Sequence, residues 1–200
     1  LAQVVDRLAR ELDRPLKITV TVINSRMVNA LALPGGRIVL FRGLIEEAAK
    51  LTGHDGAEAL AGILAHEMGH IVRRDALALT IENAGLAMIA SLIVGDAAGG
   101  ILIAGLGHSM LSAAHVREAE RRADATAVAL LNRAGIRGLP LAELLGRATK
   151  NSASPDGAWG LLSTHPGGTA RTAEIARTAT GHGTAMDAAA WAAIRRICVQ

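Results

Sequence analysis

The pattern of apolar and polar residues changes along the chain, from alternation near its start to a helical period in most of the remainder. Residues 16–23 alternate apolar and polar side chains, which predicts a half-buried strand. Two further strands are predicted at residues 28–33 and 37–41, and the Pro-Gly-Gly sequence between them indicates the turn of a β-hairpin. An amphipathic helix is predicted at residues 1–12.

Two longer helices are predicted in the middle of the chain. Apolar residues recur at helical spacing over residues 57–72, where Asp55 is the predicted N-cap and Glu58 stands in the position that completes a capping box. A second helix is predicted from about residue 112 to residue 132, and it carries a run of charged side chains.

The last fifty residues are predicted to contain a loop and a terminal helix. Residues 151–166 are rich in Ser, Gly and Pro, so we predict a loop that is a candidate lid. The terminal helix is predicted from Ala185 to about residue 198, with Thr184 as its N-cap.

Composition favours one mainly helical α+β domain with a small antiparallel sheet. Two hundred residues can bury a sizeable core, and half of them are apolar. Aromatic residues make up only 2%, so the core must consist mainly of Ala, Leu, Ile and Val. No internal repeat or linker is visible, which predicts a single domain over residues 1–200. Because the chain lacks an initiator Met, we expect it to be a fragment with residues missing upstream.

The charge pattern argues against nucleic acid as a partner. The formal net charge is +3, and the basic residues are scattered along the chain. A nucleic-acid binder usually gathers basic residues on one face with aromatic side chains nearby, which this sequence lacks.

Residues 84–114 form a mostly apolar stretch that is long enough to suggest a membrane span. Asp96 lies near its middle, and a charge at the centre of a bilayer costs roughly 3 kcal/mol. The pattern therefore predicts a helical hairpin that turns near residues 95–100. We expect this hairpin to pack beside the functional site, or to contact a membrane or a partner subunit through exposed apolar surface.

Residues 66–70 read HEMGH, an HExxH motif on the first long helix. Because four residues make about one helical turn, His66 and His70 leave the same face, where they suit two nitrogen ligands of one zinc ion. Glu67 beside them is then placed to deprotonate a water molecule. Gly69 costs about 1 kcal/mol of helix propensity relative to alanine. That cost is understandable if another backbone approaches there, although ordinary packing is also an explanation.

A third ligand is expected on the second long helix, where Glu120 and Asp124 share one face. A carboxylate ligand accompanied by a carboxylate that orients a ligand histidine is a pattern that metal sites use. Glu118 is the alternative ligand, but its neighbours Arg121 and Arg122 favour a surface ion pair for it. The spacing by itself also fits an ordinary charged helix face.

In the HExxH motif and the residues around Glu120, the chain resembles the gluzincin metallopeptidases that include HtpX, the CAAX prenyl endopeptidases and the BepA- and OMA-type proteases. HEMGH is followed by R-x-x-E-x-x-A-D at residues 117–124, as in that family. Residues 28–45 resemble its NAFALPGG segment and the helix start after it. Residues 163–171 resemble its STHP-x4-R element. These four ordered blocks cover residues 28–171, which is most of the chain.

The resemblance implies a zincin-like metallopeptidase fold with one Zn²⁺ per chain. It assigns His66, His70 and Glu120 as zinc ligands, Glu67 as the general base, and Asp124 as the carboxylate that orients a ligand.

The resemblance also implies an edge strand that pairs with an extended substrate, which would give main-chain hydrogen bonds without strong side-chain selection. The residues of this strand are Asn29, Ala30, Leu31 and Ala32. The chain contains no tyrosine that could stabilise an oxyanion. His165 and Arg171 are therefore the predicted donors, with Arg117 as a weaker third. Alternatively, His165 ligates zinc and holds the site closed when substrate is absent.

The function implied is that of a zinc-dependent endopeptidase acting on extended or misfolded protein or peptide substrates. Two alternatives are a catalytically quiet, chaperone-like module that binds unfolded chains at its edge strand, and a structural metal-binding domain with a closed four-ligand site. We expect a membrane-associated or cell-envelope location of bacterial type, through residues 84–114 or an upstream segment. Neither the natural substrate nor the oligomeric state follows from the sequence.

Overall fold

The fold is described by a computed structural model over residues 1–53, 55–75, 78, 97–151, 160–166 and 168–197, with the backbone alone for residues 97–114, 162 and 163. The strands are β1 (Thr19–Ile23), β2 (Ala30–Leu33) and β3 (Arg37–Phe41). The helices are α1 (Ala2–Ala9), α2 (Arg42–Ala48), α3 (Asp55–Arg73), α4 (Ala97–Arg133), α5 (Leu139–Asn151), α6 (Leu161–Thr164), α7 (Thr169–Thr178) and α8 (Ala188–Arg195). The predicted class, mainly helical α+β with a small sheet, is confirmed.

The three strands form one sheet in the order β1-β3-β2, which leaves β2 at an edge. β2 and β3 pair antiparallel as predicted, and Gly35 and Gly36 in their turn have φ values of 82° and 75° that favour glycine. β1 pairs parallel with β3, so the prediction of a wholly antiparallel sheet was wrong for this pair. The difference arises because the chain after β1 crosses the end of β3 before it enters β2 at the far edge.

Helix α3 lies at the centre of the molecule and carries the HExxH motif. Every residue from Gly56 to His70 is buried, and the helix packs against α4, α5 and β2. Two of its glycines allow this close packing. A Cβ atom on Gly69 would lie 2.9 Å from the Cα atom of Ala123 in α4, and one on Gly62 would lie 2.7 Å from Cβ of Leu141 in α5. The interpretation that Gly69 admits another backbone is confirmed.

Helix α4 is longer than predicted, because it begins at Ala97 rather than near residue 112. Residues 97–100 are helical, so the predicted turn of the hairpin does not include them. Residues 84–96, the first half of that hairpin, lie outside the described residues. Most of the candidate lid, residues 152–159, also lies outside them. Among the described residues, no helix combines the length and apolar character needed to cross a bilayer.

The terminal helix begins later than predicted. Asp187, not Thr184, is its N-cap, and the Asp187 carboxylate accepts a hydrogen bond of 2.7 Å from the backbone N–H of Ala190. The backbone N–H of Ala185 instead donates to the buried carboxylate of Glu58 at 3.1 Å. The capping box predicted for Glu58 therefore does not form, because a tertiary hydrogen bond uses this side chain.

Candidate metal centre

His66 and His70 lie one turn apart on α3 and direct their imidazoles to one place between α3 and α4. Their Nε2 atoms are 3.1 Å apart, and both side chains are buried. Because α3 is packed on nearly all sides, the two rings have little freedom to turn away from each other.

Glu120 of α4 places its carboxylate against both imidazoles. Its Oε2 atom lies 3.3 Å from Nε2 of His66, and its Oε1 atom lies 3.3 Å from Nε2 of His70. The alternative ligand, Glu118, is far more exposed and pairs with Arg121 and Arg122 on the surface. The structure therefore brings Glu120, and not Glu118, to the imidazole pair.

His165 adds a fourth donor from the segment after α6. Its Nδ1 atom lies 3.2 Å from Nε2 of His66 and 3.2 Å from Oε1 of Glu120. One ligand atom from each of His66, His70, Glu120 and His165 falls in a group whose members all lie within 4.8 Å of one another.

The spacing of these donors fits a zinc ion. Bonds of about 2.0–2.1 Å in tetrahedral geometry place the ligand atoms about 3.3 Å from one another. The contacts just described, between 3.1 and 3.3 Å, agree with that separation. Three nitrogens and one carboxylate oxygen are also a donor set that zinc prefers.

Glu67 lies beside this group as a buried carboxylate without a hydrogen bond. It is fully buried, and neither of its oxygens has a hydrogen-bond partner among the described residues. His165 Nε2 lies 3.4 Å from Glu67 Oε1 but lacks hydrogen-bond geometry. Leaving a buried carboxylate unpaired is costly, so this arrangement favours a role in binding or catalysis.

Two further carboxylates lie behind the imidazoles. Oδ1 of Asp124, one turn after Glu120, lies 3.0 Å from Nδ1 of His66, although the contact lacks hydrogen-bond geometry. Oδ2 of Asp75 lies 2.7 Å from Nδ1 of His70. Sequence reasoning singled out Asp124 but missed Asp75. The available signal was an acidic residue five positions after the second histidine, just beyond the end of α3.

Arg171 of α7 anchors the carboxylates of this centre. Its Nε and Nη2 atoms donate to the two oxygens of Asp124 at 2.6 and 2.8 Å, and Nη1 lies 2.9 Å from Oε2 of Glu120. Nη1 also donates to the carbonyls of His165 and Pro166. A bidentate arginine–carboxylate pair is strongly directional, so Arg171 fixes both acids and the backbone that carries His165.

The charges of the centre shift its pKa values in a consistent sense. Burial alone would lower the pKa of His70, but Asp75, Glu120 and Glu67 outweigh it and raise the pKa to about 10. Burial likewise opposes a charged His66, yet Asp124 and Glu120 raise its pKa. Burial would raise the pKa of Glu120, but the three histidines hold it well below the usual range.

The segment that carries His165 is attached to the start of the edge strand. The backbone N–H of Leu161 donates to the carbonyl of Val28 at 3.0 Å, and the Thr164 hydroxyl donates to Oδ1 of Asn29 at 3.1 Å. Nε2 of His165 lies 3.4 Å from the carbonyl oxygen of Ala30. The structure thus brings Asn29 and Ala30 close to the four-donor group, and Leu31 and Ala32 follow along the free edge of β2.

Replacing Asp75 with asparagine is expected to weaken zinc binding by about 10- to 100-fold. Asparagine keeps the size of the side chain but loses the charge that holds the Nδ1 proton of His70 and increases the basicity of Nε2. Competition with a chromophoric chelator measures the affinity. Asp6→Asn, on the exposed face of α1, is the matched control, and equal affinity in the two variants would contradict the role of Asp75.

The chelator-treated protein is expected to become less stable as the pH rises. The folded-state pKa of His70, about 10, exceeds the unfolded value of 6.5. The stabilisation from its protonated form is therefore complete below about pH 6.5 and is lost as the pH approaches 10. The lowered pKa of Glu120 adds no slope in this range, because glutamate is already ionised in the unfolded chain above about pH 5.

Thermal unfolding with chelator at pH 6, 7.5 and 9 measures this slope. A melting temperature that does not fall with pH would contradict the expectation, and His70→Gln should flatten the dependence. With saturating zinc the trend should reverse between pH 6 and 7.5, because zinc binds neutral imidazole and must displace the protons at low pH.

Comparison with known proteins gives one match that covers most of the chain. The sequence profile of peptidase family M48 matches residues 1–179. No curated protein matches the sequence. The matched range includes every residue of the centre described above, from His66 to Arg171.

Proposed function

Because the chain belongs to peptidase family M48, whose members are zinc-dependent metallopeptidases, we propose that it is an endopeptidase that cleaves extended or misfolded protein substrates. The observation that carries this proposal is the group formed by His66, His70, Glu120 and His165 beside the buried carboxylate of Glu67, to which no described residue donates a hydrogen bond. A cation-binding group next to a buried base is the minimum that metal-assisted hydrolysis requires.

In this proposal His66, His70 and Glu120 hold one zinc ion. Asp124 and Asp75 keep the two imidazoles in the orientation and tautomer that binding needs. When bound, zinc would supply a Lewis acid that polarises the scissile carbonyl and lowers the pKa of water.

Glu67 acts as the general base. Its carboxylate is free to accept a proton because no described residue hydrogen-bonds to it. It takes the proton of the attacking water as the new C–O bond forms at the scissile carbonyl. It then gives this proton to the leaving amine as the C–N bond breaks, so that the carboxylate ends the cycle ionised.

We propose that His165 is a ligand in the resting site rather than an oxyanion donor. Its Nδ1 atom faces the donor group, at 3.2 Å from Nε2 of His66 and 3.2 Å from Oε1 of Glu120. Substrate would have to displace this side chain to reach the centre. Arg171 is then a positioning residue, because its N–H groups already donate to Asp124 and two carbonyls, and its Nη1 atom forms an ion pair with Glu120.

The substrate is proposed to pair along β2. This strand is at an edge of the sheet, and Ala30 near its start lies beside the centre. Main-chain pairing with an edge strand holds a peptide in an extended form without depending on its side chains, which suits unfolded protein as the substrate.

A structural metal-binding domain is the second candidate, and the position of His165 favours it. A closed site with four protein ligands is typical of structural zinc, whereas a catalytic site keeps one position open. The free carboxylate of Glu67 favours catalysis, since a structural site has no use for it. A chaperone-like module without activity is not favoured for the same reason.

Degradation of casein or another unfolded protein, with and without a chelator, tests the proposed function. We expect cleavage by the zinc-loaded chain, loss of cleavage with chelator, and recovery when zinc is restored. Binding of unfolded chains without cleavage in zinc would instead support the chaperone-like module. Zinc-dependent folding without either activity would support the structural domain. Location at a membrane or in the cell envelope stays a prediction from the resemblance.

A further inference from the structure

A cavity of 460 Å³ opens beside the metal centre and follows the edge strand away from it. His70 of the centre lines the cavity together with Ala32, Leu33 and the turn after β2. The cavity is therefore continuous with both the centre and the strand to which a substrate is proposed to bind.

The walls of this cavity are apolar, whereas its charged side chains are all basic. Leu16 and Leu33 contribute apolar walls and are 39% and 40% exposed. Lys17 and Arg74 also line it, and the lining residues include no Asp or Glu. Within the part of the chain that the structure describes, neither Lys17 nor Arg74 forms an ion pair.

Backbone contacts place residues 17 and 74 at the rim of the cavity, where both are exposed. Arg74 follows the last residue of α3 with φ of 59°, in the left-handed region that side chains other than Asn or Gly seldom adopt. Its backbone N–H donates to the carbonyl of Ile71 at 3.2 Å. The carbonyl of Lys17 packs against Gly36, where a Cβ atom would collide with it. The left-handed conformation of Arg74 ends α3, and the Arg74 side chain lines the cavity.

We propose that this cavity is a substrate subsite that selects an acidic side chain, glutamate above all, about three residues before the bond that is cleaved. The inference rests on the proposed peptidase function. The methylene groups of glutamate would contact Leu16, Leu33 and Ile71, and its carboxylate would pair with Lys17 and Arg74.

The position of the acidic residue follows from the geometry of β2. Ala30 lies at the metal centre and Leu33 lies at the cavity, three residues or about 10 Å further along the strand. Antiparallel pairing is the more stable arrangement per residue, and a substrate in that direction runs from Leu33 towards Ala30. The residue in the cavity therefore precedes the scissile bond.

Three quenched peptides that differ only at the third residue before the cleaved bond (Glu, Gln or Lys) test the subsite. We expect the zinc-loaded full chain to cleave the Glu peptide with kcat/KM about five-fold above that of the Gln peptide and further above that of the Lys peptide. The preference should shrink between 0.1 and 1 M salt, as the Debye length falls from about 10 to about 3 Å. Lys17→Glu combined with Arg74→Glu should reverse it.

Two controls separate charge at the cavity from other effects. Lys150→Glu combined with Arg196→Glu removes the same two residue types from exposed positions that do not line the cavity, and it should keep the preference for Glu. If the Arg74 variant fails to fold, Lys17→Glu alone should still lower the Glu-to-Lys ratio. A role of Arg74 at the end of α3 alone would change stability and leave the ratio unchanged.

Failure of this inference is distinguishable from failure of the proposed function. Cleavage of all three peptides at equal rates would overturn the subsite and leave the peptidase standing. If no peptide is cleaved, the same peptides are titrated against the chain by fluorescence anisotropy. Tighter binding of the Glu peptide, lost in the Lys17 and Arg74 variants, would then support the subsite without the activity, and equal binding would overturn it.

Discussion

Glu67→Gln is expected to lower kcat/KM for peptide hydrolysis by about 10²- to 10⁴-fold while the protein keeps its zinc. Glutamine has nearly the same size as glutamate, so the packing of α3 should change little. Its neutral amide cannot take a proton from water, and the step that Glu67 performs is lost. Turnover of a quenched peptide measures the effect, and metal analysis of the purified variant shows whether zinc is retained.

Glu58→Gln is the matched control for this experiment. Glu58 is also a fully buried glutamate of α3, but its carboxylate bonds to Ala185 and lies 3.4 Å from Arg137. We expect its substitution to lower thermal stability and to leave the activity per folded molecule intact. Full activity in the Glu67 variant would refute its assignment as the base.

Glu120→Ala is expected to remove zinc from the purified protein, and with it all activity. The substitution deletes a carboxylate that lies 3.3 Å from both imidazoles and leaves Arg171 without one of its two acidic partners. The three imidazoles that remain supply no negative charge, and the guanidinium of Arg171, which loses the nearby carboxylate of Glu120, would repel the cation. Elemental analysis after dialysis measures the occupancy.

Glu118→Ala is the control, because it removes the same side chain two residues earlier on the same helix. Glu118 pairs with Arg121 and Arg122 at the surface, and such exposed pairs contribute about 0–1 kcal/mol. Its substitution should leave both zinc content and activity unchanged. Zinc retained by the Glu120 variant, or lost from the Glu118 variant, would reverse the assignment.

Local rules predicted the parts of the centre that depend on spacing within one helix. The register of His66 and His70 follows from helical geometry, and so does the shared face of Glu120 and Asp124. The choice of Glu120 over Glu118 needed only the neighbouring arginines, which predict a surface ion pair. The β2–β3 hairpin likewise followed from its turn sequence.

Contacts between distant segments could not be predicted in this way. Asp75 reaches His70 only because the chain turns back at Arg74, just after α3 ends. Glu58 had the position of a capping box, yet it bonds to Ala185, which is 127 residues away in the sequence. The contacts of Arg171 with the two acids depend on how α7 packs against α4, and no local pattern encodes that.

The parallel pairing of β1 with β3 was missed for a related reason. Two neighbouring parallel strands need a connection that returns the chain to the same end of the sheet. The sequence of neither strand indicates such a connection. The early start of α4 was missed because the glycines among residues 97–107 weaken the helical pattern that marks its first turns.

Gly69 of α3 lies against Ala123 of α4, and this contact sets how closely the two helices approach each other. Helix α3 carries the two imidazoles, and α4 carries Glu120. Any atom inserted between Gly69 and Ala123 would therefore change the distances between these donor groups. In the proposed zinc site, the spacing between Gly69 and Ala123 would therefore influence which ion fits, although neither residue is a ligand. Substitutions that widen this gap by tenths of an ångström offer a way to favour larger cations over zinc without altering a single ligand.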